Sequence, residues 1–457
     1  MRESDFDSKE KAFKTKKQKI SKKQMTIAAH TLGCKLNFAE TSHLLRQFLM
    51  AGWQQVEFGD CADLYVINTC TVTAIAEKKC RNAIRQAVSS NPGAIVAVVG
   101  CFAQNAADEI AKIKGVTLIL GNDRKHNLYR YVTEKLGTAG METPENPSSS
   151  SDFHLAYSHS DRTRTFFKVQ DGCDYFCTYC AIPFARGRSR SATIAETVGM
   201  AHQIAVSGAK EVVLTGVNTG TFGQHHGETF LELLQELDKI DGIERYRISS
   251  IEPNLLTDET IDFVANSRKF LPHFHIPLQA GSDKVLKMMH RRYDTAFYRA
   301  LTGKIKAVMP NACIAADIMA GFNGESDEEF EKVKEFVESL PISYLHVFTF
   351  SERPGTAALK LAERIPVHHR REHSRQLQEI SDRKKAEFYH GQQDTTHPVL
   401  WESTIHHGTG QQSADRTFMY GFTDNYIRVR RPYDSSLVNT VTPFHLSHLI
   451  PHDEIFE

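Results

Sequence analysis

Short apolar runs alternate with longer amphipathic stretches through most of this chain, and no other feature limits its fold as strongly. Residues 26–32, 64–68, 95–99 and 116–120 read as short buried strands. Helical patterns over 39–50, 74–88 and 106–113 separate them. A second series of strands is expected at 166–169, 212–215, 245–249, 273–276, 314–319 and 344–348. Strands that alternate with helices imply parallel sheets. The fold class expected is therefore α/β: an open parallel sheet first, then six β/α units forming a partial barrel. In both designs ligands bind where the strands end.

The cysteines fall at those ends. Cys173, Cys177 and Cys180 follow the first strand of the second series at C-x3-C-x2-C spacing. Three thiolates this close suit an iron–sulfur cube in which each holds one iron. The fourth iron is then open to a small molecule. Structural zinc would ask for a fourth ligand, and no second cysteine pair or nearby histidine follows. Buried free thiols are the remaining alternative. Cys34, Cys70 and Cys101 each follow a different strand of the first series. Parallel topology brings those exits to one edge, so a second cluster is expected there. The other three, Cys61, Cys80 and Cys313, read as packing residues.

The Cys173 motif, with Tyr179 before its last cysteine, resembles the signature of radical S-adenosylmethionine (SAM) enzymes. Gln170-Asp171-Gly172 before it and the stretch from Ala181 to Ser191 after it resemble the methylthiotransferase branch. So do Gly33-Cys34-Lys35-Leu36-Asn37, Asn68-Thr69-Cys70 and Gly100-Cys101-Phe102. The resemblance implies two [4Fe–4S] clusters, held by Cys34/Cys70/Cys101 and by Cys173/Cys177/Cys180, with SAM on the open iron of the second. It also implies a six-unit barrel. Cys34-Lys35-Leu36-Asn37, Arg247 to Pro253 and Leu345 to Phe348 resemble the branch that acts on N6-threonylcarbamoyladenosine in tRNA, the MtaB type. Phe184 and Asn323 depart from the family pattern, where tyrosine and proline are usual.

Five segments are expected: a basic tail (1–24), an N-terminal methylthiotransferase domain (25–136), a linker (137–160), a radical SAM domain (161–390) and a TRAM domain (391–457). The tail carries eight lysines, Lys9 to Lys23, and reads as solvated disorder or as an arm for RNA phosphates. The linker holds two glycines, two prolines and four consecutive serines. The last segment changes to short alternating runs, the clearest at 425–430, and resembles the small RNA-binding TRAM barrel. Lysine plus arginine equals aspartate plus glutamate, at 55 each, so bulk charge does not announce a nucleic-acid binder. No apolar run approaches the ~20 residues that cross a bilayer, and no signal core opens the chain. A cytoplasmic protein is expected.

Individual roles are expected as follows. Tyr179, Gly216, Ser250, Glu252 and Gln279 stand at strand exits and are candidates for holding SAM; each could equally be a cap or turn residue. Asp317 points into the barrel. Arg186, Arg188 and Arg291 are candidate partners for a substrate anion. Tyr426, Arg428 and Arg430, with Phe422, could stack bases and contact phosphates, or pack the small barrel. The function expected is methylthio insertion at carbon 2 of threonylcarbamoyladenosine at tRNA position 37, fed by an electron donor such as flavodoxin or ferredoxin. Isopentenyladenosine tRNA and a ribosomal-protein aspartate are alternative substrates. A non-catalytic iron–sulfur sensor that binds RNA is the alternative of another class.

Overall fold

The structure, a computed structural model, describes residues 24–137, 153–158, 163–361, 363–407, 417–450 and 454–457. The lysine tail and most of the linker lie outside the described residues.

The first five strands, β1 (Thr26–Thr31), β2 (Gln54–Gln55), β3 (Leu64–Thr69), β4 (Ile95–Gly100) and β5 (Leu118–Leu120), form one sheet in the order β2-β1-β3-β4-β5. Every pairing in it is parallel. Strand side chains alternate between faces. Leu64 and Val66 therefore meet Leu44, Leu45 and Phe48 of helix Lys35–Met50, while Tyr65 and Ile67 meet Ile84 and Ala87 of helix Ala74–Ser90. Helix Lys35–Met50 starts four residues earlier than its apolar pattern suggests, directly after Cys34. The helix expected over 106–113 is instead two short ones, Cys101–Asn105 and Ala107–Ala111, broken at Ala106 where φ is −142°.

Short strand β6 (Ala156–Tyr157) runs antiparallel to β7 (Arg164–Lys168). Strands β8 (Gln170–Asp171) and β9 (Arg190–Ser191) make a two-stranded ribbon flanking the Cys173 loop. The barrel is β7, β10 (Glu211–Thr215), β11 (Arg245–Ile248), β12 (His273–His275), β13 (Cys313–Ala320) and β14 (Tyr344–Thr349). Neighbours pair parallel, and single bridges join β11 to the region of β12. Thr193 and Glu196 form a capping box that starts helix Ile194–Val206. Outward residues such as Phe167, Val212 and Leu214 pack under the helices. On the opposite face Phe166 and Val213 pack against Phe38 and Ala39. Helix Lys35–Met50 of the first sheet domain thus lies across the open barrel.

Helix Val367–His390 leads to an all-β unit of β15 (Thr396–His407), β16 (Thr417–Thr423), β17 (Arg428–Pro432), β18 (Val441–His445), β19 (Leu449–Ile450) and β20 (Ile455–Phe456). Their order is β18-β15-β16-β17-β20-β19. The strand expected at 425–430 begins only at Arg428. Asn425 and Tyr426 form the turn before it, with Tyr426 at φ +69°. That turn docks on the starts of the barrel strands. Arg245 and Arg247 donate to the carbonyls of Thr423 and Asp424, and Glu211 holds both guanidiniums at 2.9 and 2.7 Å.

Candidate active site

The Cys173 loop is shaped by Gln170-Asp171-Gly172. The Gln170 amide donates to the carbonyls of Asp171 and Gly172, and its oxygen accepts from the backbone of Val217 and Asn218. One side chain therefore ties the cysteine loop to the exit of β10. Gly172 has φ +72°, and a Cβ there would lie 1.9 Å from the Arg188 carbonyl. Only glycine fits. Backbone N–H groups of Tyr175 and Ile182 point at the sulfurs of Cys173 and Cys180, at 3.4 and 3.5 Å. Arg291 donates to Cys177 Sγ at 3.1 Å. Burial pushes Cys173 up to about 11 and Cys180 up to about 12. Thiols this reluctant to ionise become thiolates when a metal replaces the proton. Donors aimed at the sulfurs suit a thiolate-held cluster.

The second triplet is assembled from three loops. Asn37 donates to the carbonyls of Leu32 and Thr69, stitching the exits of β1 and β3 together. A Cβ on Gly33 would lie 2.9 Å from Cys70 Cβ, so the Cys34 and Cys70 loops touch. Asn122 reaches Cys101 Sγ at 3.5 Å. Burial raises Cys34, and pushes Cys70 up to about 12, with the neighbouring cysteines adding to it. Three close thiols on separate loops fit a cluster with one open iron. Cys80 lies beneath Cys70 and accepts from its backbone, and Cys313 is fully buried, as packing residues do. Cys61 is exposed, because it sits in the polar loop before β3, so the packing role expected of it fails.

The loop that carries Cys180 and the residues that follow Cys70 border one cavity. This cavity, of about 200 Å³, has Tyr179 and Cys180 on one wall, Val72 and Thr73 on the other, and Gln279 and Asp317 at its base. Asn122 links the triplets from behind, donating to the Ala185 carbonyl at 2.8 Å. Tyr179 and Gln279 thus line the cavity, the latter with a strained φ of +67°. Gly216 instead packs on Gln170, where a Cβ would lie 2.8 Å from its Oε1. Glu252 pairs with Arg291. Ser250 serves through its carbonyl, which accepts from Thr219.

The arginines divide. Arg186 is buried and pairs with Asp171 at 2.8 Å and Glu40 at 3.1 Å. Burial works to raise both carboxylates, but Arg186 and Lys168, with Lys125 on Glu40 and Arg190 on Asp171, hold them well below the usual range. Arg186 therefore joins the two domains and is not free for substrate. Arg291 is spent on Glu252 and Cys177. Arg188 is exposed beside Phe176.

In the C-terminal unit, Tyr426 does not face solvent. Its ring stacks on His273 at 4.4 Å and on Phe422 at 4.9 Å, under the Arg247 guanidinium. Arg428 lies over Tyr420 and Arg430 pairs with Glu457 at 2.8 Å. The turn that carries Tyr426 and Phe422 meets the barrel floor, so their rings pack on His273 and beneath Arg164 and Arg247.

Sequence reading missed His275 and His346. With Asp317 they group inside the barrel with ligand atoms within 4.8 Å of one another, and His275 Nε2 lies 2.7 Å from Asp317 Oδ1. Their alternate positions on β12 and β14, matching Asp317 on β13, were the available signal.

Comparison with known proteins agrees with this geometry. Residues 26–121 match the family described as uncharacterized protein family UPF0004, and residues 167–337 match the radical SAM superfamily. Threonylcarbamoyladenosine tRNA methylthiotransferase MtaB of Bacillus subtilis is 36% identical over 88% of this chain and 90% of that protein. The protein of the same name from Aquifex aeolicus is 39% identical over 80% and 90%. A tRNA-2-methylthio-N(6)-dimethylallyladenosine synthase of Clostridium botulinum is 31% identical over 82% and 85%. Among solved structures, the radical SAM methyltransferase TsrM of Kitasatospora setae superposes with a TM-score of 0.51 at 12% identity, over 73% of this chain and 77% of that one.

Proposed function

The chain belongs to the radical SAM methylthiotransferases of the MtaB type, and from that premise we propose that it inserts a methylthio group at carbon 2 of N6-threonylcarbamoyladenosine at tRNA position 37. The observation that carries the reading is the shared cavity, with Cys180 and Tyr179 on one wall and the residues after Cys70 on the other. Carbon 2 of adenine is an unactivated C–H with no leaving group, and no side chain performs such chemistry unaided. When bound, the Cys173 cluster with SAM would supply the radical that opens the C–H bond, the Cys34 cluster would carry the sulfur, and a second SAM would supply the methyl group.

The chain's own residues bind and orient. Cys173, Cys177 and Cys180 hold one cluster, and Arg291 and the loop N–H groups neutralise charge on its sulfurs. Cys34, Cys70 and Cys101 hold the other. Gln279 and Tyr179 wall the SAM cavity, while Asp317, hydrogen-bonded to His275, offers it a polar group. Glu252 fixes Arg291 in place. Phe176 and Phe184 are exposed at the mouth, with Arg188 and Arg292 beside the same loop. Exposed rings beside guanidiniums suit stacking of unpaired anticodon-loop bases and contact with their phosphates. A separate groove of about 730 Å³ is lined by Phe184, Arg188, Arg190, Asn122 and His226. A low-potential one-electron donor, such as flavodoxin or ferredoxin, would serve the Cys173 cluster. No helix among the described residues is long and apolar enough to cross a membrane.

Nucleoside mass spectrometry of tRNA from cells with and without this protein tests the reading. Loss of the 2-methylthio form, with accumulation of threonylcarbamoyladenosine itself, is expected. An unchanged nucleoside profile would overturn it.

A further inference from the structure

Of the arginines expected to meet the substrate's carboxylate, Arg186 and Arg291 are occupied and Arg188 stands out in solvent, yet a different cation lines a cavity without an ion pair. A cavity of about 290 Å³ lies where the three domains meet. Cys34 and Lys35 of the first domain line one side, Phe166, Arg164, Arg247 and His273 come from the barrel, and Tyr426 forms the floor. It has room for roughly ten waters, or one amino-acid-sized substituent.

Its charge is one-sided. Three cations line it and no carboxylate does. Arg164 is paired with Glu402 at 3.3 Å, and Arg247 with Glu211 at 2.7 Å. Lys35 has no hydrogen bond or ion pair among the described residues. It is also the first residue of helix Lys35–Met50, which has no acidic residue in its first turn. A cation there opposes the helix macrodipole. Lys35 is therefore doubly disfavoured in the protein alone, by the helix and by the neighbouring guanidiniums.

His273, only 6% exposed, closes the same wall with its ring stacked on Tyr426 at 4.4 Å, so the lining offers an anion three cations and no opposing carboxylate.

We propose that this cavity is the specificity subsite for the carboxylate of an amino-acid substituent on the target base, with Lys35 as its counter-ion. The proposal rests on the substrate reading above. Its geometry follows from the chemistry of adenine: N6 and carbon 2 flank the same ring nitrogen, on one edge of the base. A substituent on N6 anchored at Lys35 sets that edge beside Cys34, the neighbouring residue in the chain. Phe38 and Phe166, which meet edge to face at 5.7 Å, offer apolar surface to the threonine methyl. An apolar N6 substituent would leave Lys35 unsatisfied, and that asymmetry discriminates more strongly than added apolar contact does.

The test is a comparison of two anticodon stem–loops on reconstituted holoenzyme. One carries threonylcarbamoyladenosine, the other its neutral threonine-amide counterpart. Wild type is expected to bind the carboxylate form about 10- to 100-fold more tightly. In Lys35→Gln that ratio should fall to about twofold, while Lys35→Arg keeps most of it. Iron content, measured in each variant, should match wild type. If Lys35→Gln fails to hold iron, Lys35→Met, neutral and close in length, reads the same ratio, with the same fall expected. Equal binding of both stem–loops by wild type would overturn the subsite, as would full discrimination by Lys35→Gln. So would a fall in SAM affinity with the ratio untouched, which would assign Lys35 to SAM's own carboxylate. Discriminating binding without methylthiolated product would instead remove the proposed reaction and leave the subsite standing.

Discussion

At the scale of single residues, the six cysteines divide the chemistry, and substitutions should separate it. Cys177→Ala is expected to abolish SAM cleavage to 5′-deoxyadenosine. Cys70→Ala should retain that cleavage yet form no methylthio product, and anaerobic iron content should fall by about half in each. Methylthio product from Cys70→Ala would contradict the assignment. The cysteines were legible because ligand chemistry dictates residue type and spacing. The arginines were not. Arg186 and Arg291 look like free anion binders in the motif, but their partners Glu40 and Glu252 lie 146 and 39 residues away. No local pattern announces a partner that distant. Gly172 is a residue whose constraint is wholly backbone: Gly172→Ala should lose cluster iron from the Cys173 site with all three ligands intact, because a Cβ meets the Arg188 carbonyl. Wild-type iron loading and SAM cleavage in that variant would show the loop to be more forgiving than its geometry.

At the scale of elements, helix Lys35–Met50 bears on both domains. It covers one face of the first sheet, packs Phe38 and Ala39 on the barrel, and carries Glu40 into a buried network with Lys125, Lys168 and Arg186. Glu40→Gln leaves those cations short of a charge, and removing one partner of a buried network costs about 3–5 kcal/mol. A lowered melting temperature, with weaker coupling of the first domain to the barrel, is the expected result; an unchanged melt would contradict it. Glu211 gives the pH dependence. Burial works to raise its pKa, but Arg247 and Arg245 pull it down to about 2. Its contribution is complete above the unfolded carboxylate range near 4.5 and fades as pH falls toward 2. Glu211→Gln should therefore flatten the acid limb of a stability-against-pH curve; an identical acid limb would exclude this group. Strand periodicity made the barrel legible almost strand by strand, since buried parallel strands are short apolar runs. It could not reveal that the turn at Asn425 and Tyr426 enters the barrel floor. Alternation of Tyr426, Arg428 and Arg430 looks the same whether their side chains meet RNA or protein.

At the scale of the whole molecule, the three folded units share one interior. The first domain roofs the barrel, and the C-terminal unit closes its floor through the Thr423 and Asp424 carbonyls. Deleting residues 395–457 should then do more than weaken RNA binding. It would strip Arg245 and Arg247 of their acceptors and open the cavity beneath Lys35, so a lower melting temperature should accompany the loss of tRNA affinity; an unchanged melt would return the C-terminal unit to a detachable module. The domain order was readable from composition and motif. The interior they enclose was not, because it is built from side chains that meet only after all three have folded. The account's central claim is that this interior is made for adenosine bearing a threonylcarbamoyl group. The most direct measurement is a side-by-side assay of two tRNAs, one with threonylcarbamoyladenosine and one with isopentenyladenosine, scored by mass spectrometry of the digested nucleosides. The account predicts methylthio product from the first and almost none from the second. Equal turnover, or product from the isopentenyl tRNA alone, would contradict it.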